Sequence, residues 1–161
     1  MANAAAVCTS FKVELLLGQH QFGTATLVSR TSLTAPTTDI FKAALYLLAG
    51  SIGAGTTAYT SSNEVSGTGY TAGGGTAGTF TWVAPATAAG TAYTTPSATI
   101  TWPTVTLGAF DCVLLYNSTQ SNRAVASYAV GTIGTGQSVT AGNFSLTMPT
   151  NDQTTGLLRI A

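Results

Sequence analysis

Apolar residues in this chain fall in short runs separated by glycine, proline and hydroxyl-rich stretches, the pattern of strands joined by turns. Ile40 to Leu48 is apolar on both faces, which predicts a buried central strand. Thr79 to Val83 alternates, with Phe80 and Trp82 on one face and threonines on the other. Ala98 to Trp102 predicts a strand that Pro103 ends, because proline has no N–H to give a ladder. Ala109 to Tyr116 predicts a second strongly apolar strand. Arg123 to Val130 returns after the turn-forming stretch Asn117 to Asn122, so the two are expected to pair as a hairpin. Phe144 to Met148 and Leu157 to Ile160 predict closing strands. Between them, Gly50 to Gly55, Pro85 to Gly90 and Gly131 to Gly136 read as turns. Tyr59 to Tyr70, with Gly73 to Gly75 behind it, reads as a long polar excursion.

The N-terminal part has a different pattern. Ala4 to Gly18 is alanine-rich, with Phe11, Leu15 and Leu16 at near-helical spacing and Gly18 placed to cap, so a helix is expected. A strand over Phe11 to Leu17 is the competing reading. Gly23 to Pro36 reads as a loop, or as an edge hairpin around Thr24 to Ser29. About eight short strands with turn signals between them suit an all-β fold: an antiparallel β-sandwich, jelly-roll-like, with an N-terminal helical or extended arm. The expected organisation is an arm over residues 1–22 and a single sandwich domain over 23–161. No helical patterns alternate with the strands, which argues against parallel α/β.

Charge changes the picture most. Only 6% of the 161 residues are Asp, Glu, Lys or Arg, and five positives cancel five negatives. An ordinary soluble protein carries roughly a quarter. Disorder is not the explanation, since 45% of the chain is apolar. A surface with so little charge is expected to meet other protein rather than bulk water, which points to an assembly component. Lys12, Arg30, Lys42, Arg123 and Arg159 are too few and too dispersed for a nucleic-acid face. The greasiest run, Ile40 to Ala49, is too short for a membrane helix and carries Lys42. No secretory leader is apparent at Met1 to Val7, so cytosolic synthesis followed by incorporation into something larger is expected.

Candidate chemistry is sparse. His20 is the one histidine, and no Gly-x-Ser-x-Gly elbow accompanies it. Asp39, Glu64, Asp111 and Asp152 are scattered singly rather than paired for acid–base work. Asp111 lies inside an apolar strand, where burial demands a partner; Arg123 on the hairpin mate is the expected one. Cys8 and Cys112 are read as two small buried thiols rather than a disulfide. Neither zinc spacing nor a calcium loop occurs. Gly50 to Gly55 and Gly131 to Gly136 lack the order of a dinucleotide fingerprint. Tyr59, Tyr70, Trp82, Tyr93 and Trp102 could stack sugars, but such residues more often anchor cores and interfaces. No residue is therefore assigned to catalysis, cofactor or metal.

Several segments together resemble a family of small structural proteins of tailed bacteriophages. They are Ser10 to His20 with Phe22, Asp39 to Tyr46, Thr56 to Tyr59, Asn63 to Gly74, Leu115 to Ala126 and Leu157 to Ala161. In that family the His-x-Phe element leads almost directly into the Asp-x-Phe-Lys strand, whereas here Gly23 to Thr38 intervenes. The resemblance implies a non-enzymatic virion protein that decorates or cements the capsid. Its implied partners are the major capsid protein and further copies of itself as dimer or trimer, with no nucleic acid and no membrane. A tail-fibre or surface adhesin domain binding host glycans is the alternative.

Overall fold

In a computed structural model, residues 3–16, 20, 22 and 39–161 are described. The expected Gly23–Pro36 loop and the Gly18 cap lie outside them. Strand β1 (Ala6–Val7) leads into helix α1 (Thr9–Leu16). Then follow β2 (Phe41–Leu47), β3 (Gly67–Thr68), β4 (Thr79–Phe80), β5 (Ala86–Ala88) and β6 (Thr91–Thr94). The chain ends with β7 (Ile100–Asn117), β8 (Arg123–Ala129), β9 (Gln137–Leu146) and β10 (Leu158–Ile160). The fold is an all-β sandwich of antiparallel sheets. Among the described residues the sheets hold seven strands and three, rather than the four and four of a jelly roll.

The eighteen-residue β7 organises the larger sheet. On one side it pairs with β2, from Phe41 opposite Asn117 to Leu47 opposite Phe110, and then with β3 at Thr106 and Leu107. On the other side β8 covers Cys112 to Asn117, and β9 continues along Ile100 to Phe110. Strands β8 and β9 thus act as one long neighbour interrupted by the Val130–Gly136 turn. β1 adds to β8, and β4 to β2. Composition along β7 explains the arrangement. Phe110 to Asn117 is buried without a break, which suits a strand flanked by others and covered on both faces. Ile100 to Ala109 instead alternates: Trp102, Val105 and Leu107 are buried, while Pro103, Thr104, Thr106 and Gly108 are exposed.

Three sequence expectations are corrected here. Pro103 does not end its strand. The register slips between Trp102 and Val105, so Pro103 and Thr104 bulge outward where no ladder N–H is needed. Thr104 takes a left-handed φ of 51°, and its N–H is held by Asn143 Oδ1 at 3.0 Å. Pro85 to Gly90 is not a plain loop, because β5 and β6 form a tight hairpin with Ala88 opposite Thr91. Its two turn residues, Ala89 (φ 48°) and Gly90 (φ 81°), both have the left-handed φ of a type I′ turn. Alanine in the place usually taken by Asn or Asp hides that signal.

The third correction concerns the N-terminal arm, which is built into the sandwich. Asn3 is buried, Cys8 and Phe11 belong to the core, and the helix begins at Thr9 rather than Ala4. Ala6 and Val7 extend along β8 instead, opposite Ser127 and Ala126. Main-chain bonds from Ala4 to Ile52 (2.8 Å), Cys8 to Val125 (3.1 Å) and Thr9 to Ala54 (2.9 Å) fix the path. Their directions suit an extended segment, and a helix begun at Ala4 would forgo them.

Core packing centres on Trp102, which is fully buried. Burying a tryptophan removes roughly 150–250 Å² from water, worth about 4–6 kcal/mol. Its indole N–H donates to the Gly74 carbonyl at 3.0 Å, so the ring costs no unpaired donor. Gly74 has φ +75°, and a Cβ there would lie 1.9 Å from the Ala43 carbonyl oxygen of β2. Only glycine lets the excursion pass so close to the central strand. Gly74→Ala should therefore destabilise the fold by at least about 2 kcal/mol. Urea unfolding of the variant beside the wild-type chain measures the loss.

Candidate interaction surface

Three acids singled out in the sequence, Asp39, Glu64 and Asp111, are buried, and each ties distant segments together. Asp111 is not paired with Arg123. That residue sits opposite Asn117, at the far end of the hairpin. Asp111 Oδ1 instead accepts from Asn3 Nδ2 at 2.6 Å, and Oδ2 from the Gly134 N–H at 2.7 Å. Asn3 also donates to the Leu47 carbonyl (2.9 Å) and accepts from the Ile52 N–H (3.0 Å). The N-terminal segment thereby satisfies a carboxylate in the middle of β7. Nothing in the sequence pointed to Asn3, because its role depends on contacts 108 residues away.

Glu64 reaches the sheet from the long excursion. Its Oε2 accepts from Tyr59 Oη at 2.6 Å, and its Oε1 from Tyr70 Oη at 2.7 Å and the Gly73 N–H at 2.6 Å. Tyr70 Oη in turn accepts from the Leu45 N–H at 3.0 Å. Tyr116 donates to the Gly73 carbonyl at 2.9 Å and stacks on Tyr59 with centroids 4.9 Å apart. Tyr46 donates to the Thr60 carbonyl at 2.5 Å. Burial, with the Glu64 carboxylate as a further cause, raises all four phenols, Tyr116 to about 12. Burial and then neighbouring Asp111 likewise raise the Cys112 thiol to about 12; Cys8 and Cys112 are both buried and are not joined in a disulfide.

Asp39 and His20 meet at Asn117. Asn117 Oδ1 accepts from the Thr119 and Gln120 N–H groups at 3.1 and 3.2 Å, which fixes the amide orientation. Its Nδ2 then donates to Asp39 Oδ2 at 2.6 Å and faces His20 Nδ1 at 3.1 Å. With the amide so oriented, His20 Nδ1 takes the acceptor role in this contact. The imidazole packs edge-on to Phe11 at 4.9 Å. Asp152 stands apart, at a turn where the Thr154 and Thr155 N–H and hydroxyl groups hold its carboxylate below the usual range.

This arrangement braces the fold, because each buried carboxylate joins segments that are distant in the chain. Among the described residues, surface depressions of about 130 to 730 Å³ have linings that do not include His20, Asp39, Glu64 or Asp111. Among the described residues, no three His, Cys, Asp or Glu side chains gather as a metal-binding group. No described helix is long and apolar enough to cross a membrane. Of the aromatics considered for sugar stacking, Trp82 and Trp102 are core residues, and the Tyr59 and Tyr70 hydroxyls are engaged by Glu64.

What remains outside is nearly free of charge. Three of the five acids, Asp39, Glu64 and Asp111, are buried and so add no charge to the exterior. Residues 65–110 and 124–151 contain no Asp, Glu, Lys or Arg. They supply β3 to β6, the alternating half of β7, nearly all of β8, and β9. Threonine, serine, glycine and alanine dominate their exposed positions, and hydroxyls pair across strands. Thr101 lies 2.9 Å from Ser145, and Thr81 lies 2.7 Å from Ser97. No family model, curated protein or solved structure matches the chain.

Two outcomes test the buried nodes. Asn3→Ala leaves Asp111 short of a donor and should cost about 2–4 kcal/mol, read by chemical denaturation. The phenols test the Glu64 node. Their folded pKa values exceed the unfolded value near 10, so the associated stability is complete below pH 10 and lost as pH climbs towards 12. Tyrosinate absorbance from this cluster should therefore rise together with unfolding, not ahead of it.

Proposed function

We propose that this chain is a non-enzymatic virion structural protein of a tailed phage. It decorates the capsid by binding the major capsid protein, and it associates with itself as a dimer or trimer. It is made in the bacterial host cytoplasm and resides on the capsid surface. The observation that carries this reading is the charge-free, hydroxyl-clad exterior over residues 65–110 and 124–151. A protein packed in many copies on a shell gains from such a surface, because crowded neighbours do not repel. Hydroxyls keep it wettable before assembly. The resemblance of Asp39 to Tyr46 and Asn63 to Gly74 to the phage family supports the same reading.

Cryo-microscopy of intact particles should place density for this chain on the outside of the head. Attachment of purified protein to undecorated heads should change little between about 0.1 and 1 M salt, since so few charges are available to be screened. A solitary soluble protein with no affinity for any phage particle would reject the proposal.

A further inference from the structure

Strand β9 is the longest open sheet edge among the described residues. It pairs with β7 on one side and with no other described strand. The other edge strands, β1, β3, β4, β5 and β10, have only two or three residues each. β9 has ten, Gln137 to Leu146, and spans about 34 Å at ~3.4 Å per residue. An edge of that length on a solitary protein is normally blunted by lysine or proline. This one has neither, and no charge of any kind. Register slips against β7 bend the ribbon, and Ala141 takes a φ of 47°, but Phe144 to Leu146 runs in regular register opposite Ile100 to Trp102. Residues Ser138, Thr140, Asn143 and Ser145 are exposed along it.

We infer that the open edge of β9 pairs antiparallel with β9 of a second copy of this chain, carrying the seven-stranded sheet across a two-fold axis. The charge pattern selects this occupant. A two-fold contact sets a surface against itself, so a cluster of one sign near the axis would meet its own image. A foreign partner could present complementary charges and would need no such emptiness. Here β9, its turns and the alternating half of β7 lack charge altogether. The hydroxyl pairing already seen between Thr101 and Ser145 also supplies a cross-strand contact that identical strands can repeat. This inference deepens the proposed self-association and rests on that reading.

Sedimentation analysis of the full chain over a range of concentrations tests it. The wild-type protein should show a concentration-dependent dimer. Ser138→Lys and Thr140→Lys, each placing a charge at an exposed position of β9, should abolish that dimer without changing the circular dichroism spectrum or the melting temperature. Thr87→Lys, on the open edge of β5, should leave it intact. A wild-type monomer at every concentration overturns the inference, as does a dimer that survives both β9 substitutions. Binding to undecorated heads, measured separately, distinguishes the two proposals. A dimer that never binds heads overturns the decoration reading alone, whereas head binding by a wild-type monomer overturns the self-association and its β9 pairing and leaves the decoration reading standing.

Discussion

One strand, β7, sets the constraint that the rest of the molecule satisfies. A strand of eighteen residues cannot lie in a single environment in a domain this small. Its C-terminal half is covered on both faces and flanked by β2 and β8. Its N-terminal half is covered on one face only, with β9 alongside. Slips in register at Pro103–Thr104 and beyond let the ribbon bend between the two settings. The core tryptophan hangs from the exposed half and reaches back to the Gly74 carbonyl, joining the long excursion to the sheet.

Buried carboxylates do work that elsewhere falls to ion pairs. Glu64 and Asp111 are met by neutral donors: tyrosine hydroxyls, an asparagine amide and main-chain N–H groups. Such a site needs every donor in place, because a buried charge short of one is costly. The arrangement therefore specifies position as well as stability. Asn3 secures the N-terminal segment, Glu64 the excursion, and Asn117 the turn after β7. Drawing three of the five acids inward also removes their charge from the surface, which links the internal bracing to the outward character of the protein.

The proposed role follows from that exterior. The hydroxyls of Thr101 on β7 and Ser145 on β9 pair with one another, so this face carries hydrogen-bonding groups without charge. A surface of this kind suits close packing of identical copies, with β9 as the longest sheet edge among the described residues.

The sequence by itself determined the class of fold and the character of the surface. Continuous apolar runs at Ile40–Leu48 and Ala109–Tyr116, and the Asn117–Asn122 turn, were legible because burial and turn formation are local demands on composition. The scarcity of charge was equally plain. Tertiary structure alone decided the partners of Asp111 and Glu64, the course of Ala6–Val7 and the passage of β7 through Pro103. The polar half of β9 was also invisible, since Val139 is its one side chain packed on the core and a single apolar residue gives no alternation to read. Each of these depends on residues far apart in the chain meeting in space. A hydrogen bond across a hundred residues leaves no periodicity for a reader of the chain to find.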